Sequence, residues 1–388
     1  MTELDQLLTD ALRDLAAEAP GLPPLSSRSR RRIRAGRAGA VLASVVLAAG
    51  IAAGLAAGAT ALNGMLRSAQ HGPPRHHAWS IQTSGGNDAL AVGGPMLYVA
   101  TGDFPNATLS AYSRATGRMV NQVRIPASPR ALRIGPGGSV WLTFYPDQNG
   151  GGTGLWLLSP DLRQHSRTGP RIASSIGLAD VLPVGPADAL VAGRGLSELH
   201  MPVPGSRGTP TLRSVAAMPA DHGYRGAVEL TRLGGRVALL QEDVVQNFRV
   251  VFAGAHGRVF EPGRGVNINS MASDGNGLWI TTGPQPAGPV TGAVIRLNDR
   301  LRDVTPPSLR ASPVLAFPDQ VWATGDSVVV TTQSLSRPLV CFRFRNGPGP
   351  VTTIAVRLPP GLLALAGHTI YAADASGVIA YQLPATCR

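Results

Sequence analysis

Side chains able to do acid-base, nucleophilic or metal chemistry are sparse here, with 23 Asp and Glu and 8 His in 388 residues. Two local clusters have suitable types. Asp221-His222 sets a carboxylate beside an imidazole, and Glu242-Asp243 sets two carboxylates side by side; either would need partners from elsewhere in the fold to work as an acid-base or cation site. Without them both read as polar groups of loops or strand ends. His71, His76 and His77 are metal-ligand types but fall in a Gly- and Pro-containing stretch that reads as a tether. The only cysteines, Cys341 and Cys387, are expected either to form a disulfide or to be two separately buried thiols. No phosphate-binding loop, dinucleotide fingerprint, zinc-protease motif or Gly-x-Ser-x-Gly elbow occurs. The sequence therefore assigns no catalytic residue, cofactor-binding residue, metal ligand or cofactor, and it points away from an enzyme while leaving catalysis open.

The elements that would position such groups repeat. Seven times a turn rich in Gly or Asp leads into a short apolar, β-branched or aromatic run, and the runs align at Tyr98, Trp141, Leu190, Ala238, Trp279, Val329 and Tyr371. The mean spacing is about 45 residues, filled with strand and turn signals and no long helical pattern, which is the signature of one four-stranded propeller blade per repeat. A run that is apolar on both pleat faces fits an inner strand covered by neighbouring blades. The last repeat has room for about three strands, so the strand around Ala78-Trp79-Ser80-Ile81-Gln82 is expected to complete it and close the ring. The fold class expected is all-β, a seven-bladed β-propeller over 78–388; six or eight blades, or a pair of less regular β-sandwiches, remain the alternatives.

Two of the repeats carry a resemblance. Gly135-Pro136-Gly137-Gly138-Ser139-Val140-Trp141-Leu142-Thr143 and Ser273-Asp274-Gly275-Asn276-Gly277-Leu278-Trp279-Ile280-Thr281 resemble the glycine-turn and Trp-strand repeat of streptogramin-lyase, NHL and YVTN propellers. The period extends over residues 78–388, and only these two repeats match closely. The motif is structural in those families, so the resemblance implies a fold. Streptogramin lyases use a His and a Glu with a magnesium ion on one face; no residue of this chain is placed in those roles, and lyase activity is not inferred.

Residues 38–62 contain no charged side chain and consist mostly of Ala, Gly, Val, Leu and Ile. A run of this length exceeds the roughly 20 residues a helix needs to cross hydrocarbon, and predicts one transmembrane α-helix. Arg28, Arg30, Arg31, Arg32, Arg34 and Arg37 precede it, whereas Arg67 and Arg75 alone follow closely, which puts the N-terminus in the cytoplasm. Ala59-Thr60-Ala61 keeps a cleaved signal peptide open as the competing reading. Within the cytoplasmic segment, 1–37, Leu4, Leu7, Leu8, Ala11, Leu12 and Leu15 predict one short amphipathic helix ending before Pro20. That segment has no His or Cys, which excludes a zinc-binding regulator of the anti-sigma type there. Residues 63–77 read as a flexible stalk.

The net charge is +12, and every basic residue is Arg, a bias that suits a GC-rich genome of the actinobacterial type. Residues 67–388 hold 28 Arg against 18 acidic residues, so the outer domain is cationic. The arginines are not interleaved with aromatics, and no nucleic-acid partner is expected. The expectation is a single-pass cell-membrane protein with a cytoplasmic N-terminus and an extracytoplasmic propeller, acting as a binding or scaffold module. Its partners would be the lipid bilayer, an extracytoplasmic protein, glycan or anionic cell-wall ligand, and a cytoplasmic partner of the N-terminal helix. The alternatives are a propeller enzyme, a lyase or hydrolase acting on an extracellular substrate, and a transmembrane sensor.

Overall fold

The structure, a computed structural model, describes residues 77–388 apart from stretches of the connecting loops. The expected cytoplasmic helix, the apolar run 38–62 and the stalk up to residue 76 lie outside the described residues. Among the described residues no helix is long and apolar enough to cross a membrane.

β1 (His77–Gln82) opens the domain, one residue earlier than expected. Blade 1 is β2 (Asn87–Gly93), β3 (Met96–Thr101), β4 (Thr108–Ser113) and β5 (Met119–Arg124). Blade 2 is β6 (Pro129–Ile134), β7 (Val140–Phe144), β8 (Leu155–Leu158) and β9 (His165–Arg167). Blade 3 is β10 (Asp180–Pro183), β11 (Asp188–Ala192), β12 (Gly195–His200) and β13 (Thr211–Ala217). Blade 4 is β14 (Tyr224–Leu233), β15 (Arg236–Asp243), β16 (Phe248–Phe252) and β17 (Val259–Phe260). Blade 5 has β18 (Val266–Ser273), β19 (Leu278–Pro284) and β20 (Val294–Leu297). Blade 6 is β21 (Pro318–Thr324), β22 (Ser327–Thr332), β23 (Leu339–Arg343) and β24 (Thr352–Ile354). Blade 7 is β25 (Leu362–Ala366), β26 (Thr369–Ala373) and β27 (Gly377–Gln382), completed by β1. Every pairing is antiparallel and sequential except β1 with β27. From β25 through β2, β6, β10, β14 and β18 to β21, the first strands of neighbouring blades touch one another, which makes them the inner wall of the ring.

Burial follows strand position. The seven aligned runs are the second strands; β7, β22 and β26 are buried along their whole length, while the outer strand β5 is mostly exposed. A second strand has a blade packed on each face, so both side-chain rows are mostly apolar, with buried Thr and Ser such as Thr143, Ser327 and Thr331 among them. At Leu233–Arg236 the hairpin turn is Gly234-Gly235, with φ of 54° and 76°; two positive φ values in a two-residue turn match the right-handed strand twist. Blade 5 departs from the four-strand expectation: its fourth position is held among the described residues by a single bridge, Leu297 to Asp303.

Ring closure is built from several contacts. β1 adds to β27, and Trp79 Nε1 donates to Arg114 O at 2.7 Å. Arg114, in blade 1, donates from Nε to Tyr371 Oη at 2.8 Å and from Nη1 to Gly94 O at 2.6 Å, tying blade 7 to blade 1. On the other side of blade 7, Cys341 of β23 is bonded to Cys387, beyond β27, with the Cα atoms 5.6 Å apart.

Candidate functional site

The clusters singled out in the sequence do not come together. Asp221, His222, His71 and His76 lie outside the described residues, and His77 supplies the first backbone pair of β1. Glu242 and Asp243 end β15, where they sit opposite Phe248 and Tyr224. Among the described residues no group of three or more His, Cys, Asp or Glu is placed to hold a metal ion.

A different set converges on the inner wall, where three successive first strands contribute Arg133 (β6), Asp180 (β10) and Glu229 (β14). Arg133 makes a two-pronged contact with Asp180, Nε to Oδ1 at 3.2 Å and Nη2 to Oδ2 at 2.9 Å. Its Nη2 is also 3.9 Å from Glu229 Oε1. The Asp180 side chain is 3% exposed and that of Glu229 21%. Asp180 Oδ2 also accepts the Leu230 backbone N–H at 3.0 Å.

The same staple recurs around the ring. Glu229 accepts a backbone hydrogen bond from Met271 of β18, and Ser270 Oγ accepts the Val321 N–H of β21 at 3.3 Å. In each case a polar side chain one residue before a buried apolar position reaches the backbone of the next first strand. A first strand offers unpaired N–H groups on the side away from its own hairpin, and these residues satisfy them. The sequence did carry a signal: Asp180-Val181, Glu229-Leu230 and Ser270-Met271 occupy matching places in their repeats. It emerges only when the first strands are aligned, and the apolar second strands dominate the periodicity.

Electrostatics perturb the Glu229 carboxyl. Burial pushes the Glu229 carboxyl up to about 7; Arg133 opposes that shift, and the neighbouring Asp180 charge adds to it. Asp180 holds the Arg133 guanidinium protonated well beyond its ordinary range. Glu229 can therefore keep or release a proton near neutrality, whereas both Asp180 oxygens are engaged. The cluster holds strands and offers one proton-exchanging group; it contains no nucleophile set against a base.

The Trp motif is structural here too. In Ser273–Trp279, Asp274 Oδ1 accepts the Asn276 N–H at 2.8 Å, while Oδ2 accepts Trp279 Nε1 at 2.9 Å and Arg296 Nη2 at 3.1 Å. Burial raises the Asp274 carboxyl, but its hydrogen bonds from Trp279 and the turn outweigh that and hold it below the ordinary carboxylate range. In blade 2 the Trp141 Nε1 donates to Ser139 Oγ at 3.2 Å instead.

No known protein family matches the chain by sequence. No curated protein matches it either. Solved structures do. Hydrazine synthase from Kuenenia stuttgartiensis is similar at 12% identity and TM-score 0.54, over 79% of this chain and 98% of that one. The Cps50 (Swd1) β-propeller domain from Myceliophteria thermophila is similar at 10% identity and TM-score 0.53, over 80% and 100%. A catalytically inactive variant of virginiamycin B lyase from Staphylococcus aureus, solved with quinupristin, is similar at 13% identity and TM-score 0.50, over 79% and 99%. The likeness is one of fold. At these identities it shows the β-propeller architecture and carries no activity across.

Proposed function

We propose that the chain is a membrane-anchored propeller that binds or scaffolds a protein, glycan or cell-wall ligand outside the cell. The observation that carries the binding reading is the use of the inner-wall polar groups. Asp180, Glu229 and Ser270 accept hydrogen bonds that hold neighbouring strands, so the wall is built as a rigid frame and recognition falls to the loops. Placement outside the cell is supported by the arginine-flanked apolar run and by the buried Cys341–Cys387 bond, which suits an oxidising compartment. Photo-cross-linking on intact cells tests the reading. A defined partner should be captured by the whole chain and lost when residues 78–388 are deleted; capture that survives this deletion contradicts it.

One observation favours a second reading, a propeller enzyme. Glu229 is a half-buried carboxyl that titrates near neutrality beside Arg133 and Asp180. If the purified chain converts the captured molecule and Glu229→Gln abolishes conversion without loss of binding, catalysis replaces binding as the function.

A further inference from the structure

Strands within a blade alternate in direction, so the turn joining its first and second strands and the turn joining its third and fourth emerge at the same end. Hydrogen bonds between blades show that these tight turns share a face. Arg114 Nη2, in the last turn of blade 1, donates to Ala366 O beside the first turn of blade 7 at 3.4 Å. Asn121 Nδ2 donates to Asp161 O in the last turn of blade 2 at 2.7 Å, and Arg236 Nη1, after the first turn of blade 4, to Asp299 O of blade 5 at 3.3 Å. β1 begins at this same end, because His77 pairs with Tyr381 and the Leu383 N–H that follows β27 donates to His368 O in the first turn of blade 7. The chain preceding β1 therefore joins the propeller on its tight-turn face.

That face carries exposed arginines in successive blades: Arg118, Arg163, Arg207, Arg232, Arg300 and Arg302. Arg163 lies 3.6 Å from Asp161, and the other five form no ion pair among the described residues. At the opposite end the described residues include the carboxylates Asp88, Glu242, Glu261 and Asp319. The tight-turn face also holds Asp161, Asp299 and Asp303, and the opposite end Arg124 and Arg167, so exposed arginines outnumber carboxylates on the tight-turn face and not at the other end.

We propose that the tight-turn face docks on a lipid surface bearing anionic headgroups, leaving the end with the longer loops directed away from it. The inference rests on the membrane reading above. Guanidinium groups match phosphate oxygens in a two-pronged geometry, and apart from Arg207, on the longer connection 201–210, they sit in or beside short turns with little freedom to lose. A bilayer is favoured as the source of phosphate because only fourteen residues lie between Leu62 and His77. Such a tether spans at most about 50 Å and keeps the face at high effective concentration over the surface.

The test is arginine modification by phenylglyoxal, read residue by residue by mass spectrometry on the full chain in vesicles. One set is pure phosphatidylcholine and the other contains phosphatidylglycerol. Modification of Arg118, Arg207 and Arg302 should be about fivefold slower in the anionic vesicles, relative to Arg124 and Arg167 at the other end, and recover in high salt. The combined variant Arg118→Gln, Arg207→Gln, Arg300→Gln and Arg302→Gln should keep the melting curve and lose the protection of the remaining Arg163 and Arg232. Equal rates in the two vesicles in a chain that does incorporate overturn the docking face alone. Equal protection by inorganic phosphate without vesicles overturns the lipid surface in favour of simple anion binding. Failure to incorporate into either vesicle overturns the membrane reading and this inference with it.

Discussion

Glu229 shows how one side chain ties the frame to pH. Its carboxyl lies above the ordinary 4.5, at about 7, first because it is buried. The folded chain therefore holds the proton over a range where the unfolded chain has released it. This group's contribution is fully present below the unfolded value and is lost as pH rises through the folded one. From pH 5 to pH 8 the loss should reach at most about 3 kcal/mol, less whatever the partial exposure screens. Melting wild type and Glu229→Gln at both pH values checks this: the wild type should lose stability relative to the variant at pH 8, and parallel curves contradict it. Asp180 behaves differently, because its removal leaves Arg133 and the Leu230 N–H without their partner. Asp180→Ala should cost about 2–4 kcal/mol in denaturant unfolding at neutral pH. Neither residue stood out in the sequence. An acid one place before an apolar residue is common, and only the ring shows that this place faces the next blade's backbone.

At the scale of the strand, the period was legible because the second strands are largely buried on both faces and so are mostly apolar or β-branched. The closing strand was legible for a related reason: blade 7 is short by one, and a strand containing Trp79 lay spare at the start. Other features needed the fold. Leu162 and Leu301 adopt φ of 58° and 55° in matching turns of blades 2 and 5, although Leu disfavours that region. Their side chains are buried, and burial worth about 2 kcal/mol offsets a backbone cost of about 1–2 kcal/mol. Composition does not reveal such a trade. That blade 5 has three strands among the described residues was equally hidden, since Asn298–Thr305 reads like any other turn and strand. Two closures can be tested. Trp79→Ala removes the bond to Arg114 and the contact with Tyr371, and should lower stability by about 3 kcal/mol in a thermal melt. Cys387→Ser opens a bond between residues 46 apart and should cost up to about 4 kcal/mol, with reductant leaving the variant unaffected but lowering the wild type. If the variant melts with the unreduced wild type, the bond does not secure the ring.

For the whole molecule, the propeller rests on mutually consistent signals, namely spacing, burial, strand order and similarity to a solved β-propeller domain. The placement outside the cell proposed for it follows from the arginine-flanked apolar run 38–62. Recognition of an external ligand by the loops requires that placement, which makes protease access from outside the cell the most direct measurement. In intact spheroplasts carrying a tag at each end of the chain, added protease should remove the C-terminal tag and spare the N-terminal one. A C-terminal tag that survives until the membrane is lysed, in cells whose known surface proteins are digested, contradicts the account.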